Sequence, residues 1–139
     1  MTAAPSKTAI AWLAVVGGTL GLHRFALRGG RDVGGWLHAG AAVVGAVGWW
    51  RLRREGVDDV LGGVLVLALG ASVVTAMAAA LRHALTGDER WSASEGRATT
   101  PSGGLAVGAA IVAAFVGATA AISLLAFVIQ RAIELSIAR

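Results

Sequence analysis

The sequence predicts an all-α integral membrane bundle of four transmembrane helices that begins with a tight helical hairpin. Three observations carry this expectation. The 139-residue chain is 56% hydrophobic and only 14% charged, with a mean hydropathy of +0.72. A soluble domain is nearer a quarter charged, so this chain has too little polar surface to cover a globule in water. The charges collect between four uncharged runs, 8–22, 33–50, 60–81 and 102–130. None of these runs alternates polar and apolar residues over strand length, which speaks against a β-barrel.

A spanning helix needs about 20 mostly apolar residues. The first run is short and reaches that length by continuing through His23, Arg24 and Phe25 to Leu27. The long stem of Arg24 then lets its charge snorkel to the interface. The second and third runs fit the bilayer closely. The fourth exceeds it and is expected to tilt or to start outside the hydrocarbon core. Glycines are no obstacle, because lipid offers the backbone no competing hydrogen-bond partner. The first run flows into a hairpin and lacks a small-x-small exit, so it reads as a membrane helix and not as a cleaved signal peptide.

About five residues, 28–32, join the first two helices, with Gly29 and Gly30 supplying the turn. "RLRREGVDD" joins the second to the third. The segment 86–103 is polar and rich in Ser, Thr and Gly, and reads as an irregular loop in which Trp91 dips onto the membrane surface. The tail "RAIELSIAR" continues the fourth helix amphipathically. Trp12, Trp36, Trp49, Trp50 and Phe127 fall near helix ends, as an interfacial aromatic belt does.

Small residues recur every fourth position: Ala109, Ala113, Gly117 and Ala121 in the fourth helix, Ala68, Ser72, Ala76 and Ala80 in the third, and Gly17 and Gly21 in the first. Such stripes let helix backbones approach closely in lipid. They serve either packing inside the bundle or packing against other membrane protein subunits. Four spans place both termini on one side. Lys7, Arg51, Arg53, Arg54, Arg131 and Arg139 then face Arg24, Arg28, Arg31, Arg82, Arg90 and Arg97 across the bilayer. The "RLRR" cluster in a short loop orients both termini towards the cytoplasm.

The segment "SKTAIAWLAVVGGTLGLHRFALRGGRDVGGWLHAGAAVVGAVGWWRLR" resembles a TM2 domain over about residues 6–54. That family pairs a lysine-led first helix and a G-x-x-G-x-H-R-F-Y-L-G type segment with a second, glycine-containing helix ending in tryptophans. The matching residues are Gly18, Gly21, His23, Arg24, Phe25, Leu27 and Gly29, then Trp49 and Trp50. Ala26 replaces the tyrosine and Arg28 a glycine, and arginines stand where an acidic residue often ends the second helix. The resemblance implies a membrane hairpin over 6–54; outside it, over 55–139, the apolar runs predict two further transmembrane helices around the loop at 86–103.

Gly21, His23, Arg24 and Phe25 form the candidate motif, at a membrane edge. Two readings stand for its arginine. It caps the helix end, where the macrodipole favours a cation, or it contacts lipid or a partner. Arg28, Arg31, Arg51, Arg53 and Arg54 are candidate contacts to lipid head groups. His23, His38 and His83 lie near one membrane face and are candidate metal or haem ligands. They lack the H-x-x-x-H, E-x-x-H or C-x-x-C-H spacing that would support either, so no cofactor and no metal are expected. The chain has no cysteine.

Helix centres hold no Asp, Glu, Lys or Arg, which speaks against a pump or channel. Ser72, Thr75, Thr119 and Ser123 read as lone hydroxyls, so no catalysis is expected. The net charge of +4 comes from edge arginines without a basic stripe, which speaks against nucleic acid. Two functions remain. One is a small accessory or scaffolding subunit of a larger membrane assembly. The other is an independent membrane protein of the TM2 type that senses or organises lipid. The alanine, glycine and arginine bias is that of a GC-rich bacterial genome, so the expected location is the bacterial inner (cytoplasmic) membrane, multi-pass.

Overall fold

The computed structural model describes residues 6–95 and 101–137, and every regular element among them is helical. Helix α1 (Lys7–Gly17) is capped by Ser6, whose hydroxyl accepts from the Ala9 N–H at 3.2 Å. A 3-10 turn, Gly18–Leu20, leads through Gly21 into α2 (Leu22–Arg28). Then follow α3 (Val33–Glu55), α4 (Val60–Leu85), α5 (Asp88–Glu95) and α6 (Gly104–Ile137). Helices α4 and α6 are long and apolar enough to cross a membrane, and α1 with α2 would make a third if the pair were one span.

The first helix is not the continuous rod expected over 8–27. α1 and α2 are bent by 120° at their junction. Gly21 sits there at φ 75°, in the left-handed region where a Cβ is strained. It also lies on the backbone of Gly35, so that a Cβ would stand 2.7 Å from the Gly35 Cα. The chain therefore turns where two backbones touch.

The expected pairing of the first two helices also differs. α1 packs along α4 and α6, while α3 packs along α4 and against the 3-10 turn. α4 is thus the centre of the bundle, and the segments 6–54 and 55–139 share one core. The contacts set how far α1 reaches. Lys7 meets Thr86 and Asp88 just beyond the end of α4. Ala11 clusters with Ala84, and Ala14 with Ala76, Met77 and Ala80. The Thr19 carbonyl accepts from Ser72, midway along α4. α1 therefore runs beside only half of α4, and α2 returns His23 to His83 near the starting end. α3, by contrast, follows α4 to its far end, where Gly48 lies on the backbone of Gly62 and Val66. α6 runs antiparallel to α4, with Ala109 near Ala84 and Phe127 over Gly63.

The core is made of small residues. Ala11, Ala14, Ala76, Ala80, Ala109 and Ala113 are fully buried, and Ile10 is the largest fully buried side chain. Such seams bring backbones close, the packing that holds helices together where the surroundings are themselves apolar. The stripes seen in the sequence are thus largely spent inside the bundle. Gly117 lies against Met77, Ala121 is exposed, and Gly17 makes room for Leu22 in its own returning chain. Large apolar side chains face outwards instead: Val16, Phe115 and Ile122 are 80%, 75% and 67% exposed.

The 86–103 segment contains α5, so it is not irregular throughout. Trp91 does not reach outwards. It is buried with its ring edge-on to His83 at 5.3 Å. Residues 96–100, with Arg97, and the terminal Arg139 lie outside the described residues.

Gly21→Ala should cost at least about 2 kcal/mol, because it adds strain at positive φ to overpacking against Gly35. Gly40 has open space where a Cβ would stand. Gly40→Ala should leave stability unchanged or raise it by up to about 1 kcal/mol. Thermal melts of the purified variants in mild detergent check both.

Candidate functional site

The candidate motif folds into a corner between α2 and α3. Asp32 caps α3 by accepting from the Gly35 N–H at 2.7 Å. Arg24 grips the same carboxylate with two donors, Nε to Oδ1 at 2.7 Å and NH2 to Oδ2 at 3.3 Å. One carboxylate thus terminates a helix and receives the planar fork that only arginine supplies. The guanidinium lies over Gly34 and the Phe25 ring over Gly35, so side chains at either glycine would collide with the motif. Phe25 meets Trp36 edge-on at 5.4 Å. Arg24, read from the sequence as an interfacial cation at the end of the first helix, is an internal ion-pair partner in the second half of a broken helix.

The same corner occurs again between α3 and α4. Asp59 caps α4 by accepting from Gly62 N–H at 3.0 Å, and Arg51 holds it through Nε at 2.8 Å and NH2 at 3.1 Å. Arg51, expected at lipid head groups, is thus held in an ion pair within the chain, with 33% of its side chain exposed. The correspondence extends along the chain. Gly18, Gly21, Arg24, Gly29, Asp32, Val33 and Gly35 match Gly45, Gly48, Arg51, Gly56, Asp59, Val60 and Gly62 at a constant offset of 27 residues. Gly29 and Gly56 both turn at positive φ, 81° and 95°. Gly21 lies on Gly35 as Gly48 lies on Gly62, and Leu52 takes the place of Phe25 over the capped glycine. The sequence reading missed this repeat and both aspartates. The signal was present as R-x4-G-x2-D-V-x-G, written twice.

A third carboxylate ties the ends of α1, α4 and α6 together. Lys7 is buried and donates to the Thr86 carbonyl at 2.6 Å while pairing with Asp88 at 2.7 Å. Asp88 also accepts from the Ser102 N–H at 2.9 Å and the Ser102 hydroxyl at 2.5 Å. These partners hold the carboxyls down. Asp32 falls to about 2, first through its hydrogen bond from Arg24. Asp59 is lowered by Arg51, and Asp88 lies well below the usual carboxylate range through Lys7 and Ser102.

The three candidate histidines do come together. His23 meets His38 edge-on at 5.6 Å and His83 at 6.2 Å between ring centres. Among the described residues, however, no group of three His, Cys, Asp or Glu is arranged to hold a metal ion. Ser72 is not the lone hydroxyl expected: it lies 2.8 Å from His38 Nδ1 and 3.1 Å from the Thr19 carbonyl. A carbonyl only accepts, so when the serine donates to Thr19 the His38 ring nitrogen is the donor to Ser72. The contacts link α3, α4 and the 3-10 turn. His23 is buried, and its Nδ1 has no partner among the described residues.

Above the histidines a cavity of about 280 Å³ opens between α2, α4 and α5, lined by His23, Arg24, Arg28, Arg82, His83 and Glu95 among others. Of the remaining candidate head-group contacts, Arg28, Arg31, Arg53 and Arg54 are exposed. Arg54 lies over the Trp50 ring at 4.5 Å. No family model matches the chain, and no curated protein or solved structure was found to be similar to it.

Arg24→Lys and Arg51→Lys keep the charge but lose the fork, so each should melt below the wild type, as Arg24→Leu should. An Arg24→Lys variant as stable as the wild type would reject the two-donor grip. Folded pKa values below the unfolded ones mean that stabilisation is whole above about pH 4 and is lost as the pH falls through about 2. Melts between pH 7 and pH 2 should show this decline, and Asp32→Asn should be less stable at pH 7 and flatter in its acid response.

Proposed function

We propose that the chain is a non-catalytic, multi-pass protein of the bacterial inner membrane, of the TM2 type, and that it interacts with lipid at one membrane face. The carrying observation is that the His23-Arg24-Phe25 segment folds back beside the end of α4. That contact supports a re-entrant reading of α1 and α2. They enter from the side where α4 ends, reach its middle and return. α3 then crosses beside α4 in spite of its glycines, and α6 crosses last. This gives three crossings in place of the four expected from the apolar runs, and puts the termini on opposite sides.

The lipid reading is favoured over the accessory subunit because the small stripes that suggested a subunit are mostly spent inside the bundle. One observation still favours a partner helix. In the last turns of α6, Leu125, Ile129, Ile133 and Ile137 are all exposed. Purification in gentle detergent with mass spectrometry of stoichiometric partners tests that second reading.

The topology is tested by compartment-sensitive reporters fused separately to the two termini of the full chain. The expected result is opposite compartments. Both termini reporting the same compartment would overturn the re-entrant arrangement and restore an even number of crossings.

A further inference from the structure

We propose that the cavity between α2, α4 and α5 is a binding site for a phosphate-type anion. Its lining includes Arg24, Arg28 and Arg82, the histidines His23 and His83, and Glu95 as its one carboxylate among the described residues. The three guanidiniums are not equivalent. Arg24 is committed to Asp32 through both of its donors. Arg28 approaches the same carboxylate only at 3.6 Å, with a side chain 59% exposed. Arg82 pairs with no carboxylate among the described residues, although it sits one residue from the buried His83. Two arginines with unspent donors therefore face a common space from α2 and α4. Their planar donor forks suit the tetrahedral, multi-acceptor oxygens of a phosphate.

His23 also belongs to the lining of this cavity. It is 2% exposed, and its Nδ1, which has no hydrogen-bond partner among the described residues, is enclosed on the side of Gly18. The case for an anion therefore rests on the arginines that share the cavity. The cavity is at the small end of ligand pockets, which run from roughly 300 to 1,000 Å³, so it accommodates a head-group-sized anion and not a large molecule. Glu95 faces the same space from α5 and opposes the anion. The source of the phosphate is either an anionic lipid head group or a free ion. The site rests on the proposed membrane reading only for its position at a bilayer surface, since the residues and the cavity are there whatever the topology.

The test uses the full chain purified in a zwitterionic detergent. Short-chain phosphatidylglycerol is titrated in one arm and inorganic phosphate in the other, with thermal stability as the readout. Saturable stabilisation is expected, with the apparent affinity falling about 30-fold in the Arg28→Gln/Arg82→Gln double variant, the loss expected for two arginines at an anionic surface. The Arg53→Gln/Arg54→Gln double variant removes the same charge at the other end of α4, and in the inorganic phosphate arm it should bind as the wild type does. Glu95→Gln should tighten binding, and it carries the test if the arginine double variant fails to fold. Stabilisation by the lipid alone assigns the site to a head group, and stabilisation by both with the same variant pattern assigns it to a free anion. Absence of stabilisation in both arms, equal loss in the two arginine double variants, or no gain in Glu95→Gln would overturn the site. The reporter fusions read crossing number without reference to anion binding, so failure of the site and failure of the topology are separately visible.

Discussion

Two ion pairs carry the architecture. Arg24 with Asp32 and Arg51 with Asp59 each fasten a helix end to the first turn of the next helix. The carboxylate has two tasks in each corner. It accepts from a backbone N–H that the new helix leaves without an intrahelical partner, and it receives an arginine fork arriving from the helix before. Asp32 is nearly enclosed, with 9% of its side chain exposed, while Arg24 keeps 33%. A helix that begins beside its predecessor needs its direction fixed within a few residues. The fork does this, because two donors on a planar group define an orientation that one flexible ammonium cannot.

The repetition at an offset of 27 residues shows what is needed for such a corner: a glycine where the backbones touch, an arginine one turn later, a positive-φ glycine, a capping aspartate and a glycine to receive the first one. The two copies diverge in one respect. At Gly21 the chain bends, whereas at Gly48 it continues as helix. Gly21 begins a helix after a 3-10 turn, and Gly48 lies within an unbroken α3 packed along α4. The same local residues thus support a sharp bend in one context and a straight helix in the other.

The polar groups inside the bundle work chiefly as ties. His38, Ser72 and the Thr19 carbonyl form a chain across three elements, and Lys7 with Asp88 closes the end at which α1, α4 and α6 meet. His23 stands apart, since it is enclosed among the other histidines and its Nδ1 has no partner among the described residues.

Composition and the charge-free runs by themselves determined a helical chain with membrane-length apolar segments, and the turns at Gly29 and Gly30 and within "RLRREGVDD". These follow from local properties: hydropathy over a helix length, and glycines where the chain must reverse. Three things were decided only by tertiary structure. The break at Gly21 depends on Gly35 lying beneath it, and a run of apolar residues carries no mark of a backbone fourteen positions further on. The ion pairs of Arg24 and Arg51 depend on aspartates eight residues away across a turn, which no reading of each arginine by its place at a helix end supplies. The gathering of His23, His38 and His83 depends on three helices meeting at one level along α4. Spacing along a chain reports neighbours on a single helix, but the seams between helices are set by which small residues let two backbones touch. In a chain this rich in alanine and glycine, many pairings satisfy that condition locally, and only the assembled packing selects one.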